Sequence, residues 1–152
     1  MYSPKQSVIV AFSSDWSPGM QNDIKQLIMD YHQRLWGQKD LTVVDELCDG
    51  DAEFKSPLRF TQGPKAFKEI IKVWHETFPD MQVTFDEVIS EGDTVVSSYT
   101  SQATCMKPFL DIDGSGKKVC YKGVSFYKIR DGKIYDYYGL VDMDSLKKQL
   151  QD

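Results

Sequence analysis

The 152-residue sequence is poor in several features that would narrow its chemistry at once. Only three cysteines occur, Cys48, Cys105 and Cys120, an odd number with no CxxC pair. That argues against a disulfide-stapled secreted scaffold or a thiolate zinc site, and for free thiols in a reducing compartment. Histidine is scarcer still, with His32 and His75 only. Lys and Arg total 18 against 23 Asp and Glu, a net charge of -5, so the clustered basic surface that grips nucleic acid is not expected. No apolar run is long enough to span a membrane, and residues 8–12 are too few for a signal h-region. A cytoplasmic protein without membrane or nucleic-acid partners is the expectation. Gly-rich phosphate loops and a nucleophile elbow are missing too, which argues against P-loop nucleotide chemistry and Ser/His/Asp hydrolysis. Residues 111–116 echo a calcium loop, but the twelfth position is Lys122 and not a bidentate Glu, so a polar turn is the reading. No metal is expected.

Aromatics, by contrast, are plentiful: eight Phe, eight Tyr and three Trp. They suit either an ordinary core or an apolar pocket. Residues 1–20 read as an N-terminal extension with a short edge strand at 8–10, and residues 21–152 as one domain. Ile24, Leu27, Ile28, Tyr31 and Leu35 share one helical face, which Gly37 ends. Asp40 suits the N-cap of a second, shorter helix. A strand at 51–56 precedes Gly63-Pro64, which opens a third helix over 65–78 with Phe67, Ile70, Ile71, Trp74 and Phe78 on its stripe. From Met81 the period changes to two. Strands end at turns near 91–93, 111–116 and Asp131-Gly132, the last a strong hairpin signal. A final helix is predicted over 144–149. Helices followed by long antiparallel strands make an α+β layout, with the helices covering the concave face of a curved sheet.

On the last strand a strict period of two puts Ile134, Asp136, Tyr138, Leu140 and Asp142 on one face if no bulge intervenes. Two readings of Asp142 stand. It is either a carboxylate raised toward neutrality by an apolar pocket, or the cap of the following helix, with Asp144 the more natural N-cap.

Several features in order resemble a known family: a Trp-containing first helix (Tyr31 and Trp36), Asp51-Ala-Glu-Phe54, Phe78-Pro-Asp-Met81, Glu91-Gly-Asp93, Asp131-Gly-Lys-Ile134, and Asp142 before Leu146. Together, over roughly residues 22–150, they resemble the SnoaL-like polyketide (ester) cyclase branch of the NTF2-like superfamily. The resemblance implies an NTF2-like cone whose N-terminal helices pack on a strongly curved mixed or antiparallel sheet enclosing an apolar pocket. It also implies a homodimer through the outer sheet face, and ring closure by intramolecular aldol chemistry without metal or cofactor. It places the acid/base on Asp142. Where many relatives carry Gly-Thr-His on the long middle strand, this chain has Ala103-Thr-Cys105, and Tyr138 stands where Trp is usual.

An enzyme of this kind would use Asp142 to remove a proton flanked by two carbonyls and return it to the new alkoxide, on a small-to-medium apolar carbonyl compound. Isomerase or dehydratase chemistry would use the same group. Tyr138, Trp36, Phe54 and Trp74 are the candidate pocket walls; core packing explains the last three equally well and Tyr138 somewhat better. His75 is the candidate polar partner, although helix phase favours a rim or surface position, and His32 is expected to be mostly exposed. The rival to catalysis is a ligand-binding or dimerisation module with a structural Asp142.

Overall fold

A computed structural model describes residues 18–152, so the strand expected at residues 8–10 lies outside the described residues. Helix α1 (Pro18–His32) turns its Ile24, Leu27, Ile28 and Tyr31 stripe to the core and runs into a single π-helical turn, Gln33–Gly37. The wider turn carries Leu35 and Trp36 on inward, and such turns recur at functional sites. Helix α2 (Thr42–Leu47) comes next, its first turn fixed by the Asp40 carboxylate, which accepts from the Thr42 N–H at 3.0 Å. Helix α3 (Pro64–Thr77) starts where Gly63, at φ 86, makes a turn that disfavours other residues, with Pro64 at the first turn. It buries Phe67, Ile70, Ile71 and Trp74, the stripe the sequence predicts.

The six strands are β1 (Cys48–Lys55), β2 (Phe60–Gln62), β3 (Gln82–Glu91), β4 (Thr94–Thr104), β5 (Lys118–Arg130) and β6 (Lys133–Val141). They lie in the order β2-β1-β6-β5-β4-β3, a curled sheet that does not close. The meander expected from β3 to β6 is present, and β1 joins it alongside β6 as a parallel pair. Helix α4 (Met143–Gln151) completes the domain by burying Leu146 and Leu150.

One register shift decides which residues look inward. Ile134 pairs with Ile129, but Asp136 pairs with Lys128, so Tyr135 is an extra residue in β6. A bulge of this kind reverses the alternation beyond it. Ile134 is inward, and so are Tyr137, Gly139 and Val141, while Tyr138 and Leu140 point to the outer face. The single face expected from Ile134 to Asp142 therefore does not exist.

Two apolar clusters fill the interior. One gathers α1, α2, β1 and the start of α3; the other gathers the end of α3, α4 and the adjoining ends of β4 and β5. Trp36 packs against both.

Candidate binding cavity

Between the helices and the inner sheet face lies a cavity where the two clusters meet. His32 at the end of α1 and Trp36 in the π-helical turn after it form its roof, and Trp74 enters from α3. Met81 and Val83 close one side. The floor comes from the inward positions of three strands: Tyr99 on β4, Tyr121 and Ser125 on β5, and Tyr137 and Val141 on β6. Its volume is about 30 Å³, room for a water or two, and it is partly open to solvent.

The floor is built from period-two strands with small residues beneath large ones. Tyr99 pairs with Gly123, and Ser125 pairs with both Ser97 and Gly139. A Cβ at Gly123 would overlap the Tyr99 hydroxyl, and one at Gly139 would overlap that of Tyr137. These glycines are required so that the two tyrosine rings can lie over the sheet. The hydroxyls of Tyr99, Tyr127 and Tyr137 gather around that of Ser125, whose hydrogen bonding partly offsets the rise in their pKa caused by burial. Burial pushes Tyr121 and Tyr137 up to about 12 and Tyr99 well above its ordinary value, so all three are neutral phenols at physiological pH.

His32 is only 5% exposed, against the expectation of a mostly exposed residue. The π-helical turn after it and the curl of the sheet enclose it: its ring lies 4.6 Å from Phe85 and 5.8 Å from Tyr99, centroid to centroid. Burial lowers its pKa to about 4, so the imidazole is neutral. His75 is half-buried and stands edge-on to Trp36 at 5.3 Å, on α3 but not in the cavity lining. Its pKa is lowered, first by burial and then by Lys39, against an opposing hydrogen bond with the Leu35 backbone. Its Nε2 is buried without a hydrogen-bond partner among the described residues.

The remaining candidates disperse. Trp36 and Trp74 line the cavity, while Phe54 is fully buried in the first cluster, stacked on Phe67 at 4.0 Å. Tyr138 is 39% exposed on the outer sheet face, beside Phe126. Asp142 is exposed and is the N-cap of α4: its Oδ1 accepts from the Ser145 N–H at 3.1 Å. Asp144, expected to be the cap, lies in the first turn instead. Among the described residues, no carboxylate or lysine lines the cavity.

The family profile for SnoaL-like polyketide cyclases matches residues 26–150, nearly the whole described chain. The chain belongs to the SnoaL-like family. Among solved structures it is similar to a protein assigned as a SnoaL-like polyketide cyclase from Jannaschia sp. CCS1, with TM-score 0.82 and 20% identity over 89% of this chain and 95% of that one. TsrD from Streptomyces laurentii aligns with TM-score 0.73 and 23% identity over 84% and 93% of the two chains. A SnoaL-like polyketide cyclase from Agrobacterium tumefaciens aligns with TM-score 0.69 and 17% identity over 82% and 94%. At these identities the likeness is one of fold. A search of curated protein sequences finds no match.

Sequence reasoning missed His32, Tyr99, Tyr121, Ser125 and Tyr137 as cavity residues of this SnoaL-like chain. A signal existed for the β5 pair: Val119, Tyr121, Gly123, Ser125, Tyr127 and Ile129 alternate without interruption with Lys and other outward residues. For Tyr137 there was none, since its direction depends on the bulge.

Proposed function

We propose that this chain binds a small, uncharged, largely apolar carbonyl compound of the polyketide class in the inner cavity. The observation that carries this reading is the chemistry of the wall. Aromatic rings surround a floor of neutral hydroxyls, and the nearest ionisable base, His32, is held neutral. Such a site favours neutral ligands with a few polar atoms over charged ones. Admitting anything larger than water requires side chains at the mouth to move, and the unbranched Met81 adapts most readily.

Cofactor-free cyclase or isomerase action with Asp142 as general acid/base is the second reading. Its support is that Val141, the residue before Asp142, lines the cavity. The cavity roof also offers an imidazole, His32, although residues 103–105 carry none.

One panel of variants separates the two. Quenching of Trp36 and Trp74 fluorescence by acetophenone should saturate, and Val141→Phe, which narrows the floor, should weaken binding at least tenfold. Unsaturable quenching, or a Val141→Phe variant that binds as well as the parent, argues against the cavity as the site. Asp142→Asn keeps a good cap, whereas Asp142→Ala loses about 1 kcal/mol of stability. Loss of turnover on an aldol-competent diketone in a normally stable Asp142→Asn variant would establish the acid/base role; retained turnover would remove it. We further propose that two copies pair through the outer sheet face, where Ile89, Val96, Phe126 and Tyr138 lie in one row across β3 to β6.

A further inference from the structure

The floor of the cavity is lined with hydroxyl groups, those of Tyr99, Tyr121, Ser125 and Tyr137. Three phenols, Tyr99, Tyr127 and Tyr137, gather around Ser125. A serine oxygen has two lone pairs and one proton to give. If two phenols donate to Ser125 and Ser125 donates to the third, the third phenol's own proton is left for another phenol oxygen, for Ser97 or for a ligand. Backbone carbonyls offer little relief, because β4, β5 and β6 are paired along this stretch. The same row continues across the sheet to Ser97, directly opposite Ser125, fully buried with a hydroxyl that makes no hydrogen bond among the described residues. Ser101, opposite Tyr121, is likewise fully buried and makes no hydrogen bond of ordinary geometry to them. A buried hydroxyl left without a partner is unfavourable. Ser97 and Ser101 are not lining residues themselves but pair across the sheet with Ser125 and Tyr121, which are. Of the four hydroxyls that converge, those of Tyr99, Ser125 and Tyr137 belong to residues that face the cavity. Gly123 and Gly139 hold the two rings down so that the hydroxyls lie close to the sheet.

We propose that Tyr99, Tyr137 and Ser125 form an oxygen-binding floor that donates hydrogen bonds to one carbonyl oxygen of an uncharged, single-ring ketone, with His32 and Trp36 covering its ring. This rests on the cavity being the binding site and adds which atom of the ligand the protein recognises. The floor contains no cation among the described residues, so recognition comes from hydroxyl donors alone. A ketone is distinguished from a hydrocarbon of the same shape because only the ketone accepts hydrogen bonds from the floor hydroxyls; the hydrocarbon desolvates them without replacing a partner. The three residues are binding residues in this assignment, and no bond is made or broken.

The test compares acetophenone with α-methylstyrene, which replaces the carbonyl oxygen by a methylene and keeps the shape. Calorimetric or fluorescence titration of the full chain should show acetophenone binding about tenfold or more tighter, one or two hydrogen bonds' worth. Tyr99→Phe and Ser125→Ala should each remove most of that preference while leaving α-methylstyrene affinity within about twofold. The infrared carbonyl stretch of bound acetophenone should lie below its position in hydrocarbon solvent and move back toward it in Tyr99→Phe, a readout independent of affinity and of folding yield. Equal binding of the two ligands, with an unshifted carbonyl stretch, overturns the oxygen-binding floor and leaves the cavity as a plain apolar site. Failure of both ligands to bind overturns the floor together with the cavity reading on which it rests.

Discussion

At position 32 an imidazole is held among the rings of Trp36, Phe85 and Tyr99, and burial favours its neutral form. In the unfolded chain the same group titrates near its ordinary value of 6.5; in the fold it does so at about 4. The unfolded state therefore binds the proton first as pH falls. The stability this group contributes is fully present above pH 6.5 and is lost progressively down to about pH 4. Between about pH 7 and about pH 4.5 the loss from this residue is roughly 2 kcal/mol. Urea unfolding of His32→Gln should accordingly show a pH dependence smaller by that amount over the same range. An unchanged dependence would mean that the ring is not shielded in the way its neighbours indicate. This burial is not legible in the sequence, because the helical phase of α1 alone leaves His32 beside the apolar stripe and not on it. The turn that encloses it is π-helical, and a single π turn shifts the phase of the residues beyond it.

The bulge at Tyr135 shows the same dependence at the level of an element. The hairpin is legible from Asp131-Gly132 and its flanking β-formers, and both strands occur where expected. The faces of β6 are not, since one extra residue exchanges inside for outside. Tyr138 and Tyr137 are adjacent and chemically identical, and only the count of residues since the turn makes one a cavity residue and the other a surface residue. Deleting Tyr135 should remove the bulge yet leave Asp136 outward and Tyr137 inward, because strict alternation from Ile134 then gives the same faces. The Lys55–Asp136 ion pair, 2.7 Å in the fold, should be kept. Thermal melting should stay cooperative, with a destabilisation of about 1 kcal/mol for the lost Tyr135 contacts with Asp93 and Arg130. Loss of the cooperative transition would indicate that the extra residue is itself needed to seat β6. Helix α4 makes the complementary point: residue type narrows its cap to Asp142 or Asp144, and the Ser145 N–H selects Asp142.

For the molecule as a whole, the two apolar clusters meet at Trp36, and the cavity is the gap their junction leaves. The opposite face of the sheet carries its own apolar row, with Ile89 57%, Phe126 37% and Tyr138 39% exposed. Pairing of two copies there predicts that Phe126→Lys, placed in the middle of the row, lowers the mass measured by sedimentation to that of one chain without changing the melting of dilute protein by more than about 0.5 kcal/mol. A parent protein that already sediments as one chain at high concentration would remove the pairing.

By itself the sequence determined what local patterns and ordered motifs can carry. Helical stripes, turn residues and the succession of short motifs led to the α+β layout and to the SnoaL-like family, because propensity and periodicity act over a few residues at a time. Whether an aromatic or a histidine lines a cavity depends on register, a bulge and the meeting of distant elements. Tyr99, Ser125 and Tyr137 come together only through strand pairing, and His32 reaches them only because the sheet curls beneath α1. Those contacts join residues up to about a hundred positions apart, from His32 to Tyr137, and the tertiary structure alone decided them.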